Sequence, residues 1–210
     1  RPKKVFDEYL RLAALDAVVY FGNSSRQPLP CPACGTKGDF SFNKHGFSYE
    51  ECMACQTIFV SPRPPAADFF RYYQESPSAR YFATTFYRKT AEARRQKLWR
   101  PKATMVHDVL KKYGADRYDL FDIGGGYGIF AEEYQCLTDV AVTIIEPGPE
   151  LANICREKGL AVVESFLENV RAEQLPKGPK VFVSFELFEH LHDCGVFLQH
   201  LSSLMQPGDL

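Results

Sequence analysis

The sequence has almost no net charge, no apolar run of membrane-spanning length and no internal repeat, and the first two lacks each exclude a class of protein. Lys and Arg number 25 against 26 Asp and Glu, a formal net charge of -1. A protein that coats nucleic acid over its whole surface is therefore excluded, while a local basic patch stays open. The longest apolar stretch, residues 12–21, is interrupted by Asp16 and falls short of the ~20 residues that a membrane helix needs. The chain opens on Arg1 and Pro2 rather than Met, without the charged, apolar and small-residue succession of a secretory signal. That opening reads as an expression or ordering boundary. What is present is 210 residues, 45% of them hydrophobic. This is enough for a core and for one large or two small domains, and it excludes disordered and fibrous classes. The expectation is a globular, cytoplasmic chain.

Seven cysteines make an odd number, and four of them crowd into 25 residues. Cys31 and Cys34 form one Cys-x-x-Cys pair, and Cys52 and Cys55 form a second after 17 intervening residues. That is the spacing of a four-thiolate zinc site, since two residues between ligands let each knuckle turn two sulfurs toward one tetrahedral ion. Residues 40–42 and 46–49 read as two short strands around a turn, which suits a zinc ribbon. Four thiolates leave no open position, so the metal is expected to be structural, standing in for the core that so small a unit lacks. Cys136, Cys155 and Cys194 are expected to be packing residues.

Helical spacing of Val5, Phe6, Tyr9, Leu10, Leu12, Ala13, Val18 and Val19 predicts a first helix, stopped at Gly22. The proline-rich residues 61–65 predict a stiff linker. Aromatic and basic residues then alternate to Arg100, predicting two helices joined near Pro77. From Lys102, one helix with Met105, Val106, Val109, Leu110 and Tyr113 on its apolar face leads into alternating segments. Residues 118–123, 140–145, 160–163 and 180–185 read as strands, and residues 129–137, 150–158, 167–175 and 195–205 as helices. Alternation of this kind predicts an α/β, Rossmann-like doubly wound parallel sheet. The division expected is an N-terminal helix (1–27), the zinc ribbon (28–62), an aromatic and basic helical linker or cap (63–101) and the α/β core (102–210).

Asp122, Gly124, Gly125, Gly126 and Gly128 place an acid at the end of the first core strand and glycines in the turn to the next helix. Glycine serves where backbone must take positive φ or approach a ligand closely. Gly126, Gly128 and Ala131 also satisfy a dinucleotide fingerprint, with Glu146 about 20 residues on, so the glycines alone leave the identity of the cofactor open.

The pattern Asp122-x-Gly124-x-Gly126-x-Gly128 resembles the first motif of the class I S-adenosylmethionine-dependent methyltransferases. The resemblance implies that Asp122 orients the loop and the methionine portion of the cofactor. It implies that Glu146, followed by Pro147, receives the ribose hydroxyls, that Phe166 lies near adenine, and that Phe185 lies beside the sulfonium. Residues 181–191, 197–198 and 205–209 resemble that family's fourth strand, its helix and the turn into a fifth strand. The family's sheet has seven strands, so the chain is expected to be incomplete after Leu210. Ribbon, proline linker, tyrosine-rich segment and core together resemble bacterial methyltransferases of nucleotide-linked sugars, polysaccharides and secondary metabolites.

The chemistry implied is methyl transfer to a small hydroxylated or keto acceptor, a nucleotide-sugar or polysaccharide precursor, with no membrane partner and no nucleic acid. His190, Glu189 and Glu186 are the candidates for a base. Their spacing also resembles the divalent-metal cluster of small-RNA and ubiquinone-pathway O-methyltransferases. Seven basic residues and one acid lie between Arg88 and Lys102; they read as a solvated helix face, a nucleotide-diphosphate patch or an RNA surface. The competing functions are RNA methylation through that patch, a non-catalytic cofactor- or partner-binding module, and a dinucleotide oxidoreductase.

Overall fold

The computed structural model describes residues 2–210. Helix α1 (Lys3–Phe21) ends at Gly22 as expected, but its buried residues are Val5, Asp16 and Phe21. Val18 and Val19 are each 71% exposed, contrary to expectation. The rotation is set by Asp16, whose carboxylate accepts the Ser78 amide (2.7 Å) at the start of a later helix. A charged acceptor on an otherwise unpaired helix amide outweighs two exposed valines.

Strands β1 (Gly38–Lys44), β2 (Phe47–Cys52) and β3 (Ile58–Val60) form an antiparallel sheet in that order, one strand more than the pattern predicted. Lys44 pairs with Phe47, and His45 and Gly46 both have positive φ, the geometry of a two-residue hairpin turn. Residues 61–65 are not a free linker. Arg63 exchanges two backbone hydrogen bonds with Gln27, and its guanidinium donates to the His192 carbonyl. His192 Nε2 in turn lies 3.0 Å from the Pro64 carbonyl. The proline-rich segment stitches the ribbon to the C-terminal half.

Helix α2 (Ala66–Glu75) gives way at Ser76 and Pro77 to a second helical element, as expected, but that element continues without a break past residue 102 as one long helical run. It comprises α3 (Pro77–Tyr81), α4 (Tyr87–Arg94) and α5 (Arg100–Lys112), joined by π-helical turns Phe82–Phe86 and Arg95–Trp99. The expected division at 101/102 falls inside it. In α5 the buried stripe is Ala103 and Leu110, with Trp99 just ahead of it, whereas Met105, Val109 and Tyr113 are exposed. Ala103, fully buried, has no side chain beyond Cβ to hold the helix over Ile129–Gln135 away.

Strands β4 (Asp119–Ile123), β5 (Val142–Ile145), β6 (Ala161–Val163) and β7 (Lys180–Ser184) form a parallel sheet ordered β6-β5-β4-β7. Helices α6 (Ile129–Gln135) and α7 (Pro149–Glu157) connect the first three, and α8 (Cys194–Leu204) follows β7. Alternate residues serve two cores. Leu120, Ile144 and Val181 meet Phe130, Tyr134 and Trp99 on one face. Phe121, Ile123 and Ile145 meet Leu167, Phe197 and Leu204 on the other. Residues 167–175 are two 3₁₀ turns rather than the expected helix, with Val170 extended between them. Leu167, Val170 and Leu175 all enter one core, and a continuous α-helix would rotate Leu175 about 140° from Val170. Leu210 donates to the Lys180 carbonyl and accepts from the Phe182 amide, a parallel pairing on the outer edge of β7.

Candidate cofactor site and metal centre

The two cysteine knuckles fold alike. Cys31 N–H donates to Thr36 and Gly35 N–H to Cys31, while Cys52 N–H donates to Thr57 and Gln56 N–H to Cys52. Gly35 and Gln56 occupy matching left-handed positions. The sulfurs of Cys31 and Cys55, Cys34 and Cys52, and Cys34 and Cys55 lie 3.6, 3.4 and 3.5 Å apart. A disulfide needs about 2.05 Å, whereas a tetrahedron with metal–sulfur bonds of ~2.3 Å has edges of roughly 3.8 Å. The four thiols therefore fit a zinc ion. Hydrogen bonding from Thr57 lowers the Cys55 thiol to about 6, whereas Cys52, despite the Cys55 amide that lowers it, is raised by burial to about 11. Among the described residues this is the one set of three or more His, Cys, Asp or Glu donors that converges.

Glu186, Glu189 and His190 do not form such a cluster, so the divalent-metal reading is not supported. Glu186 instead accepts from Lys102 Nζ (2.6 Å), whose ammonium holds its carboxyl below the usual range. Its backbone is left-handed, φ 56°, an uncommon conformation for a residue with a side chain. His190 Nδ1 lies 3.3 Å from the Tyr73 hydroxyl. Glu189 and His190 are exposed and border a cavity of about 780 Å³ between the ribbon and the segment after β7. Phe47, Tyr49, Phe69 and Phe188 give it aromatic walls, and Arg63 lies at its edge.

The glycine loop leaves β4 after Ile123, one residue past Asp122, and leads into α6. Gly124, Gly126 and Gly128 have φ of 71°, 56° and 73°, which glycine adopts freely. A Cβ on Gly125 would come within 2.7 Å of Asp122 Oδ2. Asp122 is 2% exposed, and that oxygen has no hydrogen-bond partner among the described residues. Burial, then the neighbouring Glu146, pushes its carboxyl up to about 7. Glu146 directly follows β5 and is 7% exposed. It accepts the Gly126 amide at Oε2 (3.0 Å) and the Gly148 amide at Oε1 (2.8 Å), yet burial still raises it. Pro147 follows Glu146 and is half-buried. Phe166 lies beyond β6 with its ring 4.4 Å from Phe70 of α2. Phe185 directly follows β7 and lies between Phe130 (5.2 Å) and Trp99 (6.3 Å).

The structure adds residues that spacing did not single out. Tyr87 stacks on Tyr127 of the glycine loop, 5.5 Å between rings, and would lie 3.4 Å from a Cβ on Gly126. Leu187 packs against Gly124. Lys102 Nζ sits over the rings of Trp99 and Phe185. Of the seven basic residues from Arg88 to Lys102, three pair with carboxylates: Arg95 with Glu132 and Glu133, Arg100 with Glu133, and Lys102 with Glu186. Arg88, Lys89 and Lys97 are exposed. Of the lone cysteines, Cys155 packs as expected, donating to the Gly126 carbonyl (3.2 Å), while Cys136 is exposed.

A parallel β6-β5-β4-β7 sheet, with a glycine loop after one of its two inner strands and an acid just beyond the next, is a Rossmann-like fold of the kind that binds a nucleoside cofactor. The family described as "Methyltransferase domain" matches residues 82–210, and the chain belongs to it. That match opens inside the helical run, ahead of the division expected at residue 102. Among solved structures, the chain is similar to the plantazolicin methyltransferase BamL, solved with a triazolic desmethylPZN analog and SAH. The two share 14% identity at a TM-score of 0.52, over 65% of this chain and 51% of that one. It also resembles CalS10, an amino pentose methyltransferase from Micromonospora echinaspora, with 18% identity, TM-score 0.47, and 57% and 52% coverage. For DesVI of Streptomyces venezuelae the values are 16%, 0.44, 58% and 52%. The chain spans 51–58% of the length of the first four such structures. No curated protein sequence matches it. No described helix is long and apolar enough to cross a membrane.

Proposed function

We propose that the protein binds S-adenosylmethionine across the carboxyl ends of β4 and β5 and transfers its methyl group to a small hydroxylated or keto acceptor. The observation that carries this reading is Glu146, a nearly enclosed carboxylate fixed by the Gly126 and Gly148 amides beside the unpartnered Asp122 oxygen. A fixed carboxylate at the end of the second strand suits a ribose diol, since charge-assisted hydrogen bonds are short and strong. Gly124, Gly125, Gly126 and Gly128 let the backbone approach the ligand, Phe166 and Pro147 flank the adenosine end, and Phe185 borders the reacting end. The cofactor, when bound, supplies a methyl group activated on a sulfonium.

The acceptor would lie in the cavity between ribbon and core. That cavity is connected to the glycine loop by adjacent residues, Leu187 against Gly124 and Phe188 in the cavity wall. Aromatic walls with Arg63 and His190 at the margin suit a flat ring carrying an anionic group, which is the basis for preferring a nucleotide-linked sugar. His190 is assigned as the base. With Nδ1–H donating to Tyr73, Nε2 is free to take a proton from the acceptor hydroxyl. Burial pushes the Tyr73 phenol well up, so it stays neutral as a partner. Glu186 is held anionic by Lys102 and orients that residue rather than exchanging protons; Glu189 borders the acceptor. Zinc at Cys31, Cys34, Cys52 and Cys55 would keep the ribbon wall of the cavity in place.

Calorimetry with S-adenosylhomocysteine tests the reading, with NAD as the comparison ligand. Micromolar binding that Glu146→Ala weakens at least tenfold, with no NAD binding, is the expected outcome. NAD binding in its place would overturn it.

A further inference from the structure

Four side chains of the helical run, Tyr87, Arg94, Trp99 and Lys102, gather over the carboxyl ends of β4 and β7. Tyr87 reaches the glycine loop, Trp99 reaches Phe185, and Lys102 reaches Glu186. Arg94 lies between them, its guanidinium carbon 5.0 Å from the Tyr87 ring and 5.7 Å from that of Trp99. The charges of Lys102, Arg95 and Arg100 are each answered by a carboxylate. Among the described residues Arg94 forms no salt bridge, and its Nε is buried without an acceptor. A buried donor without a partner is costly, and two rings holding a guanidinium plane keep it from turning to solvent.

We infer that Arg94 receives the carboxylate of the methionine portion of the cofactor, so that the helical run is part of the cofactor site. This rests on the S-adenosylmethionine reading. With the ribose at Glu146, on the β5 side, and adenine toward β6, the amino-acid end must lie over β4 and β7, beneath Arg94. A guanidinium presents its Nε–H and one Nη–H as a planar fork that matches a carboxylate, and a lysine cannot reproduce it. The aromatic rings fix that plane before the ligand arrives.

The test compares S-adenosylhomocysteine with its decarboxylated analogue, which keeps the adenosine, the thioether and the ammonium. Wild type should bind the former about 30-fold more tightly, the scale of a charge-assisted pair. Arg94→Gln should remove most of that preference, leaving the analogue's affinity within about twofold. Arg94→Lys should lose about five- to tenfold for S-adenosylhomocysteine alone. Arg88→Gln, an exposed change on the same helix, should alter neither. Equal affinity of wild type for both ligands would overturn the inference, as would equal weakening of both by Arg94→Gln or Arg94→Lys. Binding of neither ligand by folded, zinc-loaded wild type would overturn the cofactor reading itself. The wild-type comparison needs no variant, so it stands even if Arg94→Gln misfolds.

Discussion

The carboxylates of Asp122 and Glu146 sit at the carboxyl ends of adjacent parallel strands, and both are almost wholly enclosed. Glu146 has two backbone amides to satisfy it, whereas Asp122 keeps one oxygen without a partner. Two acids so placed gain from a ligand that brings hydrogen-bond donors and positive charge. Without one, burial drives both toward the protonated form.

The first prediction follows from that pair. Asp122 titrates near 4 in the unfolded chain but is pushed up to about 7 when folded. Between those values the folded state binds the extra proton, so this group's stabilisation is complete below about pH 4 and is lost as pH rises to about 7. Asp122→Asn should therefore gain stability relative to wild type by on the order of 2 kcal/mol between pH 5 and 8. Thermal melting of both proteins across that range would show it, and a constant difference would refute it.

Zinc removal should act first on the ribbon. Cys31, Cys52 and Phe59 are its only buried cluster among the described residues, too little to fold without a metal. Wild type should carry one zinc per chain, and Cys52→Ala should carry far less. Hydrogen exchange should then speed up over residues 28–60 and leave β4 to β7 slow. Unchanged exchange in zinc-free protein would rule out a structural metal.

Asp16 should matter far more than its neighbours on α1. Asp16→Ala leaves the Ser78 amide without its acceptor at a cost of about 1–3 kcal/mol. Asp7→Ala breaks only the exposed pair with Lys3, worth roughly 0.5 kcal/mol or less. Urea unfolding separates the two, and equal effects would mean that Asp16 is not a cap.

Two glycines with the same backbone requirement should differ in cost. Gly128 and Gly159 have φ of 73° and 79°, so alanine at either pays about 1–2 kcal/mol for the left-handed region. At Gly128 the new Cβ would also lie 2.6 Å from Leu160 Cδ1 and 2.9 Å from Cys155 Sγ, while nothing lies within 4 Å at Gly159. Gly128→Ala should therefore destabilise by roughly 1–3 kcal/mol more, measured by denaturant titration.

Several features were readable in sequence because local geometry fixes them. Two residues between cysteines make a knuckle whatever surrounds it, and alternating glycines after a buried acid make a loop that few other residues could form. The four parallel strands were readable as apolar runs because a sheet covered on both faces has no polar side. Residues 167–175 fit a helical pattern only loosely, through three buried apolar residues, while the core demands an extended Val170. The prolines of residues 61–65 suggested a linker because their composition carries no trace of the distant His192 that holds them.

The sequence by itself determined the four-cysteine cluster, the glycine loop and the two acids beside it, all of which depend on short spacings and on conformations intrinsic to residue type. Only the tertiary structure decided which side chains of the helical run face the site. Arg94 and Trp99 are five residues apart, about 140° around an α-helix, and the π-turn Arg95–Trp99 brings them onto one face through its i→i+5 pitch. The charges there were settled by partners far along the chain, Glu133 38 residues from Arg95 and Glu186 84 residues from Lys102. Arg94, with no such partner, was thereby left as the cation over the loop.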